Sequence, residues 1–278
     1  MLQLRRETTC TSLELFERSN VWGSGGRRHA AGSASTLDKN LPDPPFISWD
    51  DAYAREIKNH AEDAEDEGTV WFDDTGAEDK VVQLLDDLAD EGYLKKAADG
   101  GNTASRFLDL GTGNGHMLFA LMEEEWQGNL VGVDYSETSI RLAEQIAIRR
   151  QDEAVDSAKA LPIFRQWDLL HQKAGQWLED GFDVVLDKGT FDAISLSAES
   201  DTSGRRIHET YRECVLPTIR PAGFFIITSC NWTREEILRW FSESDAELSV
   251  FREVRYPSFT FGGQKGQSVC TIAFQRKP

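Results

Sequence analysis

The chain is short of several things, and each shortage excludes a class of protein. Its 278 residues hold only four cysteines, Cys10, Cys214, Cys230 and Cys270, with no C-x-x-C pair among them. That spacing supports neither a disulfide framework nor a zinc site, and it suits a reducing compartment. The five histidines are scattered and form no metal-like pair, so no metal is expected. No run approaches the roughly 20 apolar residues of a membrane span, and the N-terminus lacks the apolar stretch of a secretory signal. Basic residues are scarce: 30 Lys and Arg face 48 Asp and Glu, for a net charge of -18. Nucleic acid is bound by basic surfaces, so it is not an expected partner. Arg5, Arg6, Arg18, Arg27 and Arg28 stand near the start among Ser and Gly, but Glu7, Glu14 and Glu17 oppose a mitochondrial presequence. The expectation is a monomer, cytoplasmic with the nucleus also open.

The acid is concentrated. Residues 50 to 99 carry 17 Asp and Glu against 5 Lys and Arg, two thirds of the net charge. Such a run is ordinarily a solvated face. The sharper alternative is a docking surface for a basic protein, whose binding salt would weaken.

Residues 1–45 form a Gly/Ser/Arg-rich lead-in that ends in "LPDPPF", with Pro42, Pro44 and Pro45 breaking the chain. This part is read as a disordered extension with a short helix near 12–18. Residues 46–278 are read as one domain, with helices over 46–100 and a core sheet over 105–278. Tyr53 and Ile57 stand four apart in the first helix, which starts at Trp49. The second, Ala77 to Lys95, puts Val81, Leu84, Leu85 and Leu88 on one face.

From Arg106, apolar strands alternate with helices: "RFLDL", "GHMLFALMEEE", "LVGVD", "SETSIRLAEQIAIRR", "PIFRQWDL", "FDVVLDK", "IHETYRECVLPTI" and "FFIITSC". Alternation of this kind predicts an α/β fold with a doubly wound, mostly parallel sheet. "ELSVFREVRY" and "SVCTIAFQR" follow with no helical period between them, which predicts an antiparallel C-terminal hairpin on the sheet edge.

At the first strand-to-helix turn stands "FLDLGTGNGHMLF". Gly111, Gly113 and Gly115 allow a tight turn and close approach of a ligand. A dinucleotide fingerprint would need glycine at position 116, which is His116. The G-x-G-x-G form, with Asp109 two residues ahead and Thr112 and Asn114 between the glycines, resembles motif I of the seven-strand S-adenosylmethionine-dependent methyltransferases. In those enzymes the loop accommodates the methionine part of the cofactor. Asp134 ends the second strand, where an acid can accept hydrogen bonds from both ribose hydroxyls, and Tyr135 follows it. Asp168 is placed like the acid that reads the adenine amino group in that fold, with Trp167 and Leu169 as apolar neighbours. Core packing remains the ordinary alternative for Trp167. The resemblance implies a Rossmann-like class I methyltransferase with a seven-stranded sheet, using S-adenosyl-L-methionine and releasing S-adenosyl-L-homocysteine.

Further segments narrow the resemblance. "GTVWFDD" (68–74), "GVDYSETSI" (132–140), "FDVVLDKGTFDAISL" (182–196), "GFFIITSCNWTREEI" (223–237) and "PSFTFGGQKGQSV" (257–269) resemble the lysine methyltransferases that modify translation elongation factor 1-alpha, in particular the fungal-type members. The likeness runs from about Trp49 to Phe274. The chain departs from the family's Leu-Gly-Thr-Lys-like stretch, having "PPFISWDDAY" there, and residues 151–160 look like a lengthened loop. The resemblance implies that a lysine of elongation factor 1-alpha is the substrate. A small-molecule methyltransferase and a non-catalytic acidic binding module are the alternatives.

A methyl acceptor lysine must be neutral to attack. Deprotonating a lysine of pKa about 10.4 at pH 7 costs about 4.6 kcal/mol, and an apolar aromatic channel lowers that cost. Trp71, Phe72, Phe191 and Trp232 are the aromatics expected to wall it, with Trp71 also at the cofactor. A carboxylate beside the amine would favour the ammonium. Asp187 is therefore expected to orient the amine or the cofactor, not to act as a strong base. Asn231 and Trp232 are candidates to contact the lysine, or they belong to the helix start before "TREEIL". Lys188 is expected to fix a loop or lie at the surface. Glu78 either caps the second helix or lines the cofactor site.

Overall fold

A computed structural model describes residues 49–97, 103–153, 160–242, 247–257, 259–261, 264–266 and 269–278. The lead-in, with the short helix expected in it, and most of the 151–160 loop lie outside the described residues.

Helix α1 (Trp49–Glu62) and helix α2 (Ala77–Asp90) precede the sheet. The second stops at Asp90, short of the expected Lys95, because Glu91 and Gly92 turn the chain back with Gly92 at φ 83°. Strand β1 (Phe107–Leu110), helix α3 (His116–Glu123), strand β2 (Leu130–Asp134), helix α4 (Glu137–Glu153), strand β3 (Ile163–Gln166) and strand β4 (Phe182–Lys188) follow. Next come helix α5 (Thr190–Leu196), helix α6 (Tyr211–Val215), strand β5 (Ile219–Ser229), helix α7 (Arg234–Phe241) and strand β6 (Leu248–Val254). The chain closes with strands β7 (Phe259–Phe261), β8 (Gln264–Gly266) and β9 (Cys270–Arg276).

Seven strands form one sheet in the order β3-β2-β1-β4-β5-β9-β6. β1 to β5 pair in parallel, while β9 runs antiparallel between β5 and β6. The expected antiparallel C-terminal hairpin is present at the sheet edge, with β6 outermost and β9 inserted between it and β5. The connection between them carries its own small hairpin, β7 with β8.

Alternation along the strands sends side chains to two apolar layers. Val184, Leu186, Phe224 and Ile226 face α2, α3 and α4 through Leu85, Leu88, Leu118 and Leu142. Val185, Phe225 and Ile227 face α5, α6 and α7 through Phe191, Tyr211, Val215 and Phe241. Truncating a fully buried leucine such as Leu85 to alanine costs about 2–5 kcal/mol.

The single helix expected over "IHETYRECVLPTI" is broken. A 3-10 turn at Ile207–Thr210 leads into α6, and a second at Leu216–Thr218 ends it. Pro217 cannot donate a hydrogen bond, and the chain must bend there to enter β5.

Candidate functional site

Ligands bind in doubly wound sheets beyond the C-terminal ends of the strands. The loop after β1 makes that rim. Gly111 has φ 64°, and a Cβ there would fall on the hydroxyl of Thr190, which donates to the carbonyl of Leu110 at 2.6 Å. Thr112 donates to Asp109 at 2.7 Å, and the backbone N–H of Gly113 donates to Asp134 at 3.1 Å. Asn114 donates to the carbonyl of Glu67 at 2.9 Å, and Gly115 opens α3. Asp109 is buried, and desolvation raises its carboxyl to about 7 despite the Thr112 bond. Burial also raises Asp134, which takes Ser136 N–H at 3.0 Å as well.

The segment from α1 to α2 covers this loop. Tyr53 packs at Gly113, Ser136 donates to Asp50 at 2.5 Å, and Trp71 tilts against Trp49 at 5.2 Å between ring centroids. Lys188 is part buried, and its ammonium donates to the carbonyl of Trp71 at 3.0 Å. Burial lowers its pKa, while Glu78 and Asp109 work against that. Lys188 therefore fixes the covering segment and is not at the surface. Glu78 bonds His116 through Oε1 at 2.7 Å, but its buried Oε2 has no partner among the described residues.

Beyond β2 and β3 the arrangement is looser. Tyr135 is half exposed beside Asp134. Trp167 is buried and meets Trp177 edge-on at 5.3 Å, so core packing accounts for much of its ring; its Nε1 is buried without a partner among the described residues. Leu169 is partly buried beside it. Asp168 accepts from the backbone of Leu170 and His171 at 3.0 and 3.1 Å and bonds His171 Nδ1 at 2.9 Å. These contacts fix the turn after β3.

Beyond β4, "TFDAISL" forms helix α5. Gly189 at φ 88° makes the turn into it, and a Cβ there would press on Phe72 at 2.9 Å. Asp187 is 1% exposed. Its carboxylate accepts the backbone N–H of Thr190 at 2.8 Å and of Phe191 at 3.2 Å, and the Tyr211 hydroxyl at 2.6 Å. It holds the start of α5 and the Tyr211 ring. Desolvation raises it to about 7. Asp192, unassigned from sequence, takes Ser229 Oγ at 2.5 Å and the Cys230 N–H at 2.8 Å, and burial raises it to about 6. Ser229 in turn accepts the Trp232 N–H at 3.0 Å. This chain of bonds shapes the turn after β5.

The aromatic wall is also rearranged. Phe72 and Phe191 are each 1% exposed and belong to the core, contrary to the expectation that they line a channel. Trp71 and Trp232 are only part buried, and Trp232 stacks on Phe191 at 5.4 Å. Asn231 is part buried beside it. The helix start belongs to Thr233, whose N–H donates to Glu236 at 2.9 Å in a capping box, so Asn231 and Trp232 precede the cap. Tyr53 and Tyr211 were missed from sequence. Tyr53 carried a signal, standing on the inward face of α1; Tyr211 gains meaning from a partner 24 residues away. Among the described residues no cluster of three His, Cys, Asp or Glu could hold a metal, and no helix is long and apolar enough to cross a membrane.

The family model described as "Methyltransferase domain" matches residues 102–268. Protein-lysine N-methyltransferase efm4 of Schizosaccharomyces pombe is 43% identical over 83% of this chain and 92% of its own length. Protein-lysine N-methyltransferase EFM4 of Saccharomyces cerevisiae is 38% identical over 82% and 92%. Human EEF1A lysine methyltransferase 2 is 33% identical over 93% and 99%. Among solved structures, the methyltransferase domain of bacterial CtHen1-C shares the fold, with TM-score 0.50 at 14% identity over 72% of this chain and 98% of that one. With the β9-inserted sheet and the glycine loop after β1, these likenesses make the chain a member of the EFM4 and EEF1A lysine methyltransferase 2 family of protein-lysine N-methyltransferases.

Proposed function

We propose that this enzyme transfers a methyl group from S-adenosyl-L-methionine to a lysine of translation elongation factor 1-alpha, acting as one methyltransferase domain over residues 46–278 in the cytoplasm. The observation that carries the cofactor reading is the loop Asp109–Gly115 with Asp134 beside it. Each oxygen of Asp134 takes one backbone N–H, and a carboxylate oxygen has a second lone pair for a ribose hydroxyl. Glu78 Oε2 is a buried acceptor without a partner among the described residues, which fits the ammonium of the cofactor's amino-acid end. When bound, that cofactor supplies a methyl group already activated on a sulfonium.

The protein's own task is then to place the two reactants and to keep the amine neutral. Asp187 and Asp192, the acids closest to the β4 and β5 ends, are held in internal hydrogen bonds. That leaves Trp71 and Trp232 as the partly exposed faces, which disfavour a charged amine by desolvation. The substrate assignment rests on the names carried by the relatives, which specify EEF1A in the vertebrate proteins. The test is incubation with labelled S-adenosylmethionine and cell lysate. Label on lysine of one protein of elongation-factor size supports the reading. Label confined to small molecules, or absent, overturns it.

A further inference from the structure

We propose that His208, with Trp232 and Trp240, forms the mouth of the lysine site, and that His208 Nδ1 accepts a hydrogen bond from the target lysine's side-chain nitrogen. This rests on the lysine-methyltransferase reading and adds to it a substrate-binding residue.

His208 lies in the 3-10 turn Ile207–Thr210, just before the helix that carries Tyr211. Its ring stands 5.4 Å from Trp240 and 6.1 Å from Trp232 between centroids, and the two indoles are 5.7 Å apart. All three rings are part buried. Phe191 supports the group from below, 5.4 Å from Trp232 and 6.0 Å from Trp240. Its backbone N–H is held by Asp187 at the end of β4, so the trio is joined to the strand ends through one layer of side chains.

Two polar atoms inside this group are buried with no partner among the described residues: His208 Nδ1 and Trp232 Nε1. Leaving one such group unmet costs about 1–3 kcal/mol. The two differ in kind. Indole nitrogen is only a donor, whereas neutral imidazole offers one acceptor nitrogen. A lysine-bearing peptide carries both complements, an N–H on the amine and a carbonyl oxygen on the backbone. The aromatic faces suit its methylenes and attract its cationic or methylated nitrogen.

A neutral acceptor also suits the chemistry better than an acid. A carboxylate at this place would stabilise the ammonium and oppose the loss of its proton. Burial lowers the His208 pKa, with Glu209 raising it and Arg206 lowering it, and the net direction favours the neutral imidazole. The nearby acids are satisfied elsewhere: Asp192 by Ser229 and Cys230, and Asp187 by Thr190, Phe191 and Tyr211.

The experiment compares His208→Ala and His208→Gln with the wild-type enzyme, using steady-state methylation of elongation factor 1-alpha and calorimetric binding of S-adenosyl-L-homocysteine. The expected result is a KM for the protein substrate about tenfold higher or more in the alanine variant, the loss of the hydrogen bond to the lysine nitrogen. The glutamine variant keeps an acceptor and should recover part of that loss, while product affinity stays within about twofold in both. An unchanged KM, or equal loss of product affinity, overturns the proposal. A second measurement needs neither a variant nor the right protein. In the product-bound wild-type enzyme labelled with 15N-histidine, n-butylammonium should shift the His208 Nδ1 resonance. No shift overturns the proposal even if methylation proceeds. A wild-type enzyme inactive on elongation factor 1-alpha would sink the substrate assignment while this arm still decides the role of His208.

Discussion

The rim of the sheet has two halves built on opposite principles. Around β1 and β2 the acids keep capacity for a ligand: Asp134 takes one backbone N–H on each oxygen, and Glu78 leaves one oxygen unmet among the described residues. Around β4 and β5 the acids are consumed. Asp187 and Asp192 meet five donor groups between them, all from the protein itself, and aromatic rings are what remains to face outward. The contrast fits the two reactants. A sulfonium cofactor with its ammonium gains from nearby acid, while an amine that must shed a proton gains from its absence.

If the halves are separable, mutations in one should leave the other's ligand untouched. The largest effect is expected at Asp134. Asp134→Ala should weaken S-adenosyl-L-homocysteine binding by about 100-fold, through the ribose contacts and the Gly113 and Ser136 anchors together. A dissociation constant within about threefold of wild type would remove Asp134 from the cofactor site. Trp232→Ala comes next, with kcat/KM for the protein substrate falling several tens-fold and product affinity holding within about threefold. Equal losses in both would mean that the two halves act as one unit.

Glu78→Gln should weaken product binding by about five- to tenfold, because a neutral amide attracts an ammonium less than a carboxylate does. The sharpening control is decarboxylated versus deaminated product: only loss of the amino group should erase the difference between the wild-type enzyme and the Glu78→Gln variant. The last effect is on stability. Asp187 has its carboxyl raised to about 7 in the fold, against about 3.9 unfolded. Between those values the unfolded chain gives up the proton more readily, so the stability held below about pH 4 is lost as pH rises to about 7, then levels off. Asp187→Asn stays neutral, so its melting temperature should fall less steeply than that of wild type between about pH 5 and pH 7.5. Parallel curves for the two proteins would show that Asp187 is not protonated in the fold at pH 5.

Local pattern made much of the fold legible. The 3.6-residue spacing of Val81, Leu84, Leu85 and Leu88 marked α2, and the apolar run of "FDVVL" marked β4 as a strand buried on both faces. The glycine loop announced itself, since positive φ at Gly111, Gly113 and Gly115 requires that residue. The edges of elements were less legible. "IHETYRECVLPTI" reads as one helix but is cut by Pro217 and by the demand that Tyr211 reach Asp187. Helix α5 over "TFDAISL" has no apolar period to announce it, because its polar residues, Thr190 and Asp192, point inward to Leu110 and Ser229.

By itself the sequence determined the alternation of strands and helices, the cofactor-type loop, and the lack of metal-like or membrane-like patterns. These follow from periodicity and from residues close along the chain. Only the tertiary structure decided that Phe72 and Phe191 belong to the core, and which acids are spent. It alone also brought His208 beside Trp232 and Trp240. Each of those outcomes depends on partners tens of residues apart, and burial of a carboxylate or a ring is a property of everything packed around it.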